Sequence, residues 1–235
     1  MFVPNFGAHS ILKIMKDEKC GQPDFSKEKI NFQDHWNQAY LSKPEKKLGW
    51  YEVDLSETLH LLMKAKLDKK AHILIAGAGS TTLVDELLTL GYSNLTVTDI
   101  SKVALDMLAQ RVGNESVQFI VDDLTQPQLL EEIAPVDLWL DRAVLHFFTE
   151  KKEEDNYFDL LKRKVKSNGY VLLAEFSLDG LTQCSNLPVK RYSVEMFQKC
   201  LGASYRLKES FDYGYVKPST GEVRPYVYAL FQNKQ

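Results

Sequence analysis

The chain has 235 residues, with 29 Lys and Arg against 32 Asp and Glu and a formal net charge of -3. That balance argues against a generic nucleic-acid binder, whose affinity rests on cations neutralising phosphates. The length and a hydrophobic content of 44% suit one α/β domain, residues 31–235, preceded by an N-terminal extension over 1–30.

The extension mixes Gly, Pro, Lys and Asp with little periodicity. Its opening, MFVPNFGAHSILKIMK, has apolar pieces broken by Pro4, Asn5 and His9, too short for a secretory leader or a membrane span. Cys20, Cys184 and Cys200 are far apart with no C-x-x-C pair, so neither a disulfide framework nor a metal site is expected. A soluble cytoplasmic monomer fits these features. Asn31 to Tyr40 reads as a short helix ending before Pro44, with Trp36 and Tyr40 docking it on the core. Gly49-Trp50-Tyr51-Glu52 follows, then a helix from a Ser56 cap through Lys66 with Leu59, Leu62 and Met63 on one face.

The next stretch carries the most information. A strand from His72 to Ala76 meets Gly77-Ala78-Gly79, an amphipathic run starts at Ser80, and a second strand from Asn94 to Thr98 stops at Asp99-Ile100. Glycines let the backbone turn sharply and approach a ligand, and a carboxylate about 20 residues on can accept from a ribose diol. A dinucleotide needs G-x-G-x-x-G, and the third-glycine position is Thr82. A ligand with an adenosine and no phosphates tolerates that loss. S-adenosylmethionine is such a ligand.

Further along, Ser101 caps a helix whose Val103, Leu105, Met107 and Leu108 supply apolar surface. Val117 to Val121 reads as a third strand running into Asp122-Asp123-Leu124, and Gln126 to Ile133 as a helix. Val136 to Leu140 forms a fourth strand ending at Asp141-Arg142, Lys151 to Val165 a helix, and Asn168-Gly169 precedes a fifth strand, Tyr170 to Phe176. Ser193 to Leu201 is a helix with Gly202 just past its end. The alternation implies a parallel sheet. Ser204 to Tyr215 and Val223 to Phe231, joined by Lys217-Pro218-Ser219-Thr220-Gly221, leave no room for a crossover helix and form an antiparallel hairpin.

The glycine loop, Asp99, Asp123 and the fourth-strand and fifth-strand signals together resemble the class I S-adenosylmethionine-dependent methyltransferases. The resemblance implies a Rossmann-like, doubly wound, mostly parallel seven-stranded sheet with a C-terminal hairpin. It also implies cofactor contacts from Gly77, Ala78, Gly79, Asp99, Ile100, Asp123, Leu124 and Asp141, with Asp123 at the adenine amino group. No metal is expected. Position 81 is Thr81 where the family often has a third glycine.

In open α/β sheets the ligand lies outside the carboxyl ends of the strands, so these residues share one rim. Asp141 is a candidate to orient or deprotonate an acceptor, or to hold Arg142 in an ion pair. His146 suits proton transfer near neutrality, or is a satisfied core residue. Trp50 and Tyr51 resemble the tryptophan-aromatic pair of methyltransferases acting on lysines of translation elongation factor 1A, whereas the Asp141-Arg142-Ala143-Val144-Leu145-His146 run looks more like uncharacterised bacterial methyltransferases. Arg142 is a candidate acceptor contact, and Arg191, on the loop Cys184–Tyr192, either contacts an acidic or planar acceptor or only fastens that loop. The expected activity is methyl transfer to an N, S or O nucleophile of a small molecule or protein lysine. A nicotinamide-dependent oxidoreductase and a non-catalytic scaffold are the competing readings. The asparagine-proline-proline-aromatic motif of many amide and nucleobase methylating enzymes is absent.

Overall fold

The computed structural model describes residues 30–235 apart from positions 114 and 219. The extension expected over 1–30 therefore lies, up to residue 29, outside the described residues. Four parallel strands build the first part of the sheet: β1 (Ile73–Ala76), β2 (Leu95–Asp99), β3 (Val117–Val121) and β4 (Val136–Arg142). A long β5 (Val165–Phe176), a two-residue pair β6 (Gln183–Cys184) and β7 (Leu187–Pro188), and the hairpin strands β8 (Tyr205–Val216) and β9 (Val223–Asn233) follow. The main sheet has seven strands in the order β3-β2-β1-β4-β5-β9-β8. β9 lies between β5 and β8 and is antiparallel to both, as a short return without a crossover requires.

The helices are α1 (Phe32–Ser42), α2 (Ser56–Ala65), α3 (Leu83–Thr89), α4 (Lys102–Val112), α5 (Lys151–Lys164) and α6 (Val194–Leu201). Each central strand is apolar on both sides because helices cover both faces. Ile73 and Ile75 of β1 pack with Leu61, Leu62, Leu87 and Leu108, while Leu74 and Ala76 pack with Trp139, Tyr157, Leu161 and Phe197. The chain leaves β1 towards β3 and later returns to place β4 on its other side. The carboxyl ends of β1 and β4 thus flank a topological switch point, where such sheets hold ligands. Among the described residues no helix is long and apolar enough to cross a membrane.

Several expected elements shift. Gln126–Ile133 is not a helix; only a 3-10 turn forms at Leu129–Glu131. Pro127 interrupts the segment, and the Asp122 carboxylate takes the N–H groups of Gln128 (2.9 Å) and Leu130 (2.8 Å), which a side chain in competition with helix carbonyls can do. The cap before α2 is not the Ser56 side chain: Asp54 accepts from the Ser56 N–H at 2.9 Å. Met63 is 72% exposed, off the apolar face assigned to it. α3 starts at Leu83 rather than Ser80. β5 begins directly at Val165, and Asn168 adopts a left-handed φ of 62° inside it, next to the register shift opposite Val136 and Leu138. Ser101 caps α4 as expected, accepting from Ala104, and Ser193, read as the first residue of its helix, is instead the cap of α6, accepting from Met196.

Candidate active site

The strand ends line a cleft of about 1450 Å³, including its open mouth, walled by parts of α1, the 48–52 segment, the rim of the sheet and the 3-10 turn after β4. At one end stands Asp99, 9% exposed. Its Oδ2 accepts from the Gly79 N–H and its Oδ1 from the Ser101 N–H, both at 2.8 Å. Burial pushes its pKa up to about 6, against the lowering effect of those backbone N–H groups. Gly77 and Gly79 have φ of 56° and 55°, a region L side chains avoid. A Cβ on Gly77 would lie 2.1 Å from Val144 Cγ2, and one on Gly79 would lie 2.0 Å from the Tyr40 hydroxyl. Gly77, Ala78, Asp99, Ile100, Asp123 and Leu124 all line the cleft, whereas Gly79 contributes through its N–H to Asp99.

The two neighbouring aspartates at the end of β3 divide their work. Asp122 spends both oxygens on backbone N–H groups of its own loop. Asp123 commits only Oδ1, to the N–H and hydroxyl of Thr125 at 2.8 and 2.7 Å, and its Oδ2 takes no hydrogen bond from the described residues.

An aromatic wall spans the cleft from α1, docked beside β2 through Gln33 to the Ile100 carbonyl and Asn37 to Ser101 and Val103, to the turn after β4. Trp36 packs edge-on against Trp50 and Phe147, with ring centroids 5.5 and 4.8 Å apart, and the Trp50 indole N–H donates to the Tyr40 hydroxyl at 2.9 Å. Four successive carbonyls fix the segment behind this wall. Gly49 accepts from Arg224 (3.0 Å), Trp50 from Arg142 (3.3 Å), Tyr51 from the Tyr215 hydroxyl (2.5 Å) and Glu52 from the Thr82 hydroxyl (3.4 Å). Arg142 also places Nε 2.7 Å from Glu52 Oε1 and 3.1 Å from the Tyr228 hydroxyl. Its guanidinium lies over the rings of Tyr215 and Tyr226, about 5 Å from each centroid. Burial opposes its charge, but the ring of Tyr and Glu partners holds its pKa above the ordinary arginine value.

Trp50, Tyr51 and Arg142 therefore reach the cleft. Asp141, His146 and Arg191 lie outside the cleft wall, and the ion pair expected as the alternative for Asp141 does not form, since Arg142 pairs with Glu52. Asp141 is fully buried below the rim, accepting from the Val144 N–H at 3.2 Å and the Tyr157 hydroxyl at 2.6 Å. Burial first, and the nearby Glu175 second, push its pKa well above the carboxylate range. His146 is also fully buried, stacked on Phe176 with centroids 4.6 Å apart and with Nδ1 2.6 Å from Glu175 Oε2. Glu175 is itself pushed up to about 8 by burial. A buried carboxyl pair and an imidazole under apolar rings form a core network beneath the turn, out of reach of a ligand. Arg191 is exposed and fastens its own loop through the Leu178 carbonyl; Cys184 is the part of that loop in the cleft wall.

Glu52, Tyr226 and Arg224 line the cleft without having been singled out from the sequence. The last two come from β9, more than 80 residues after Arg142, where no local pattern signals them. Trp36 and Tyr40 also line it, and their i, i+4 spacing on α1 was a visible sign that they share a face.

A mostly parallel sheet with a glycine loop after β1, an acid ending β2 and acids just after β3 at a switch point defines a Rossmann-like α/β fold. Residues 74–173 match the methyltransferase domain family. The match covers less than half of the chain, and the chain is therefore similar to the methyltransferase domain family. It is 27% identical over 136 residues to the eEF1A lysine and N-terminal methyltransferase of Mus musculus, covering 56% of this chain and 18% of that one. It is 25% identical over 166 residues to EEF1A lysine methyltransferase 2 of Danio rerio, covering 64% and 70%. The chain thus spans less than a fifth of the first relative's length. Among solved structures, a methyltransferase from Anabaena variabilis superposes with a TM-score of 0.68 at 15% identity, covering 87% of this chain and 96% of that one. The N-methyltransferase NodS of Bradyrhizobium japonicum superposes at 0.60 and 15%, covering 84% and 100%. These two show the likeness of fold.

Proposed function

We propose that this protein transfers a methyl group from S-adenosylmethionine to a nucleophile of a small-molecule or protein acceptor. The observation that carries the reading is the continuity of one cleft, with nucleoside-type acceptors at one end and a fixed aromatic wall reaching the other. Asp99 uses one lone pair of each oxygen on a backbone N–H, leaving capacity for two ribose hydroxyls. Asp123 keeps Oδ2 for the adenine amino group, Ile100 and Leu124 give apolar faces for the base, and Gly77 and Ala78 offer close backbone approach. The residues present fit the cofactor.

When bound, the cofactor supplies an electrophilic methyl group on a sulfonium. The protein's part is to align a nucleophile with it and exclude water. Trp36, Trp50, Tyr51 and Phe147 supply an apolar enclosure, whose ring faces also favour a cation. Val144, held by Asp141 through its N–H and packed towards Gly77, fixes the floor between the two ends. A protein acceptor is supported by the names of the Mus musculus and Danio rerio relatives. The same reading takes residues 31–235 as the methyltransferase domain, 1–30 as an extension, and the protein as a cytoplasmic monomer.

Calorimetry with S-adenosylmethionine, S-adenosylhomocysteine and NADH tests the cofactor: the first two bind and NADH does not. Absence of heat for both adenosyl ligands on folded protein would overturn the reading. Incubation with radiolabelled cofactor and cell extract then reads whether label enters macromolecules or small molecules, and no transfer to either would leave the scaffold alternative standing.

A further inference from the structure

The strand order sorts the polar groups of the cleft. Asp123 and Asp99 end β3 and β2 on one side of the glycine loop, while Arg142 ends β4 on the other and carries Glu52 with it. A ligand whose ribose and base occupy the first side directs its far end, and therefore the acceptor, towards the second. The polar atoms open to a ligand on that second side decide which acceptor chemistry it takes.

Arg142 is cationic, but its free N–H is sealed. Nε and Nη1 are engaged by Glu52, Tyr228 and the Trp50 carbonyl, and Nη2 is fully buried with no partner. Arg224 is spent on Glu222 and the Gly49 carbonyl. Glu52 is the reverse case. Its Oε1 is held by Arg142 and by the Tyr228 hydroxyl at 3.3 Å, while Oε2 takes no hydrogen bond from the described residues and is not among the fully buried atoms. Its residue lines the cleft, and its backbone is pinned by the row of carbonyl bonds. The acceptor end therefore offers a preorganised carboxylate oxygen among aromatic faces, and its guanidinium donors are enclosed or used. With the Arg142 guanidinium enclosed, an anionic acceptor would meet only weaker donors such as the Tyr226 hydroxyl, and would face the Glu52 carboxylate, while a neutral hydroxyl would be a weaker partner for that oxygen than a cation. An alkylammonium satisfies both the oxygen and the rings.

We propose that Glu52 is the residue that selects the acceptor, binding an aliphatic amine as its cation through Oε2, to which one ammonium proton passes so that the nitrogen lone pair is free to attack the methyl group. This rests on the methyltransferase reading and deepens it, by naming the acceptor class and a residue for it. Burial raises the pKa of Glu52, with Arg142 the largest opposing influence, consistent with a carboxylate that gains from a second cation.

The test uses the whole protein saturated with S-adenosylhomocysteine, whose own binding is measured first by calorimetry. n-Butylammonium chloride and 1-butanol are then titrated separately at pH 7 and constant ionic strength, reading the tryptophan fluorescence that Trp36 and Trp50 contribute at the cleft. The native protein should bind the ammonium at least tenfold more tightly than the alcohol. Glu52→Gln should bring the ammonium down to the level of the alcohol, leaving the alcohol and S-adenosylhomocysteine within about twofold of native. Equal binding of the two probes by the native protein would overturn the proposal, whatever the variant does. So would a Glu52→Gln protein that loses S-adenosylhomocysteine instead, since Glu52 would then hold the cofactor. Failure of S-adenosylhomocysteine to bind native protein would count against the methyltransferase reading itself, and the probe titrations on unliganded protein would still separate amine from alcohol.

Discussion

Asp99 joins two opposing effects that make a pH prediction. Burial raises its pKa from the usual carboxylate value to about 6, and ribose hydroxyls donate more strongly to its ionised form, whose two oxygens both accept. Affinity for S-adenosylhomocysteine should be flat above pH 7 and fall as the pH drops through 6, by up to about tenfold per unit, the slope of one required deprotonation. The ligand-free protein responds the other way. A carboxyl with a raised folded pKa binds its proton more tightly when folded, so stability is lost as pH rises between about 4 and 6. Asp99→Ala should weaken binding by roughly 1.5–3 kcal/mol, the scale of hydrogen bonds to a charged group, and calorimetry from pH 5 to 8 reads both effects. His146 behaves differently. With the ring stacked on Phe176 and both nitrogens out of solvent, His146→Asn should lower stability by about 1–3 kcal/mol while activity per folded molecule is kept. A variant that folds normally and is inactive would return His146 to the chemistry. In sequence, a His among Phe and Leu fits either role, because what separates them is Glu175, which lies on a different strand.

The element that shapes the cleft most is the turn leaving β4. Ala143 takes a left-handed φ of 68°, Asp141 holds the Val144 N–H, and the Val144 side chain fills the space a side chain on Gly77 would need. Gly77→Ala meets a backbone strain and a collision together. It should cost about 2–4 kcal/mol of stability from overpacking and positive φ, and reduce cofactor binding at least tenfold; a variant with native melting and affinity would mean the turn yields easily. The glycine loop, the strand ends and the Ser101 cap were legible because each depends on residues within a few positions. The Gln126–Ile133 segment was not. Its apolar spacing suits a helix, but Pro127 and the side chain of Asp122 withdraw the N–H groups a helix would use. Asp123, two residues past β3, was singled out only through the family resemblance, because its place alone does not separate it from Asp122.

At the scale of the whole molecule, the parallel sheet and terminal hairpin followed from the alternation of elements and the short 217–221 return. The acceptor wall did not, because it is assembled from α1, residues 49–52, β4 and β9, which no periodicity links. Ligand binding should be felt globally. At a hundredfold excess over its dissociation constant, S-adenosylhomocysteine should stabilise the folded chain by about 2.7 kcal/mol. For a domain of this size that is a rise in melting temperature of about 5–11 °C, measurable by calorimetric scanning, and a shift near zero would contradict a ligand specific to the native state.

The row of carbonyl bonds behind Trp50 and Tyr51 also imposes a sequence of events on biosynthesis. The partner residues lie 30, 92, 164 and 175 positions further along the chain, and a chain made from its N-terminus presents the early segment long before most of them exist. The strands bearing Gly77, Asp99 and Asp123 are complete by residue 123, whereas the segment that presents Glu52 cannot lock until residue 224 has been made and β9 has entered between β5 and β8. A growing chain can thus own its nucleoside half well before its acceptor half, and specificity is the last property the nascent protein acquires.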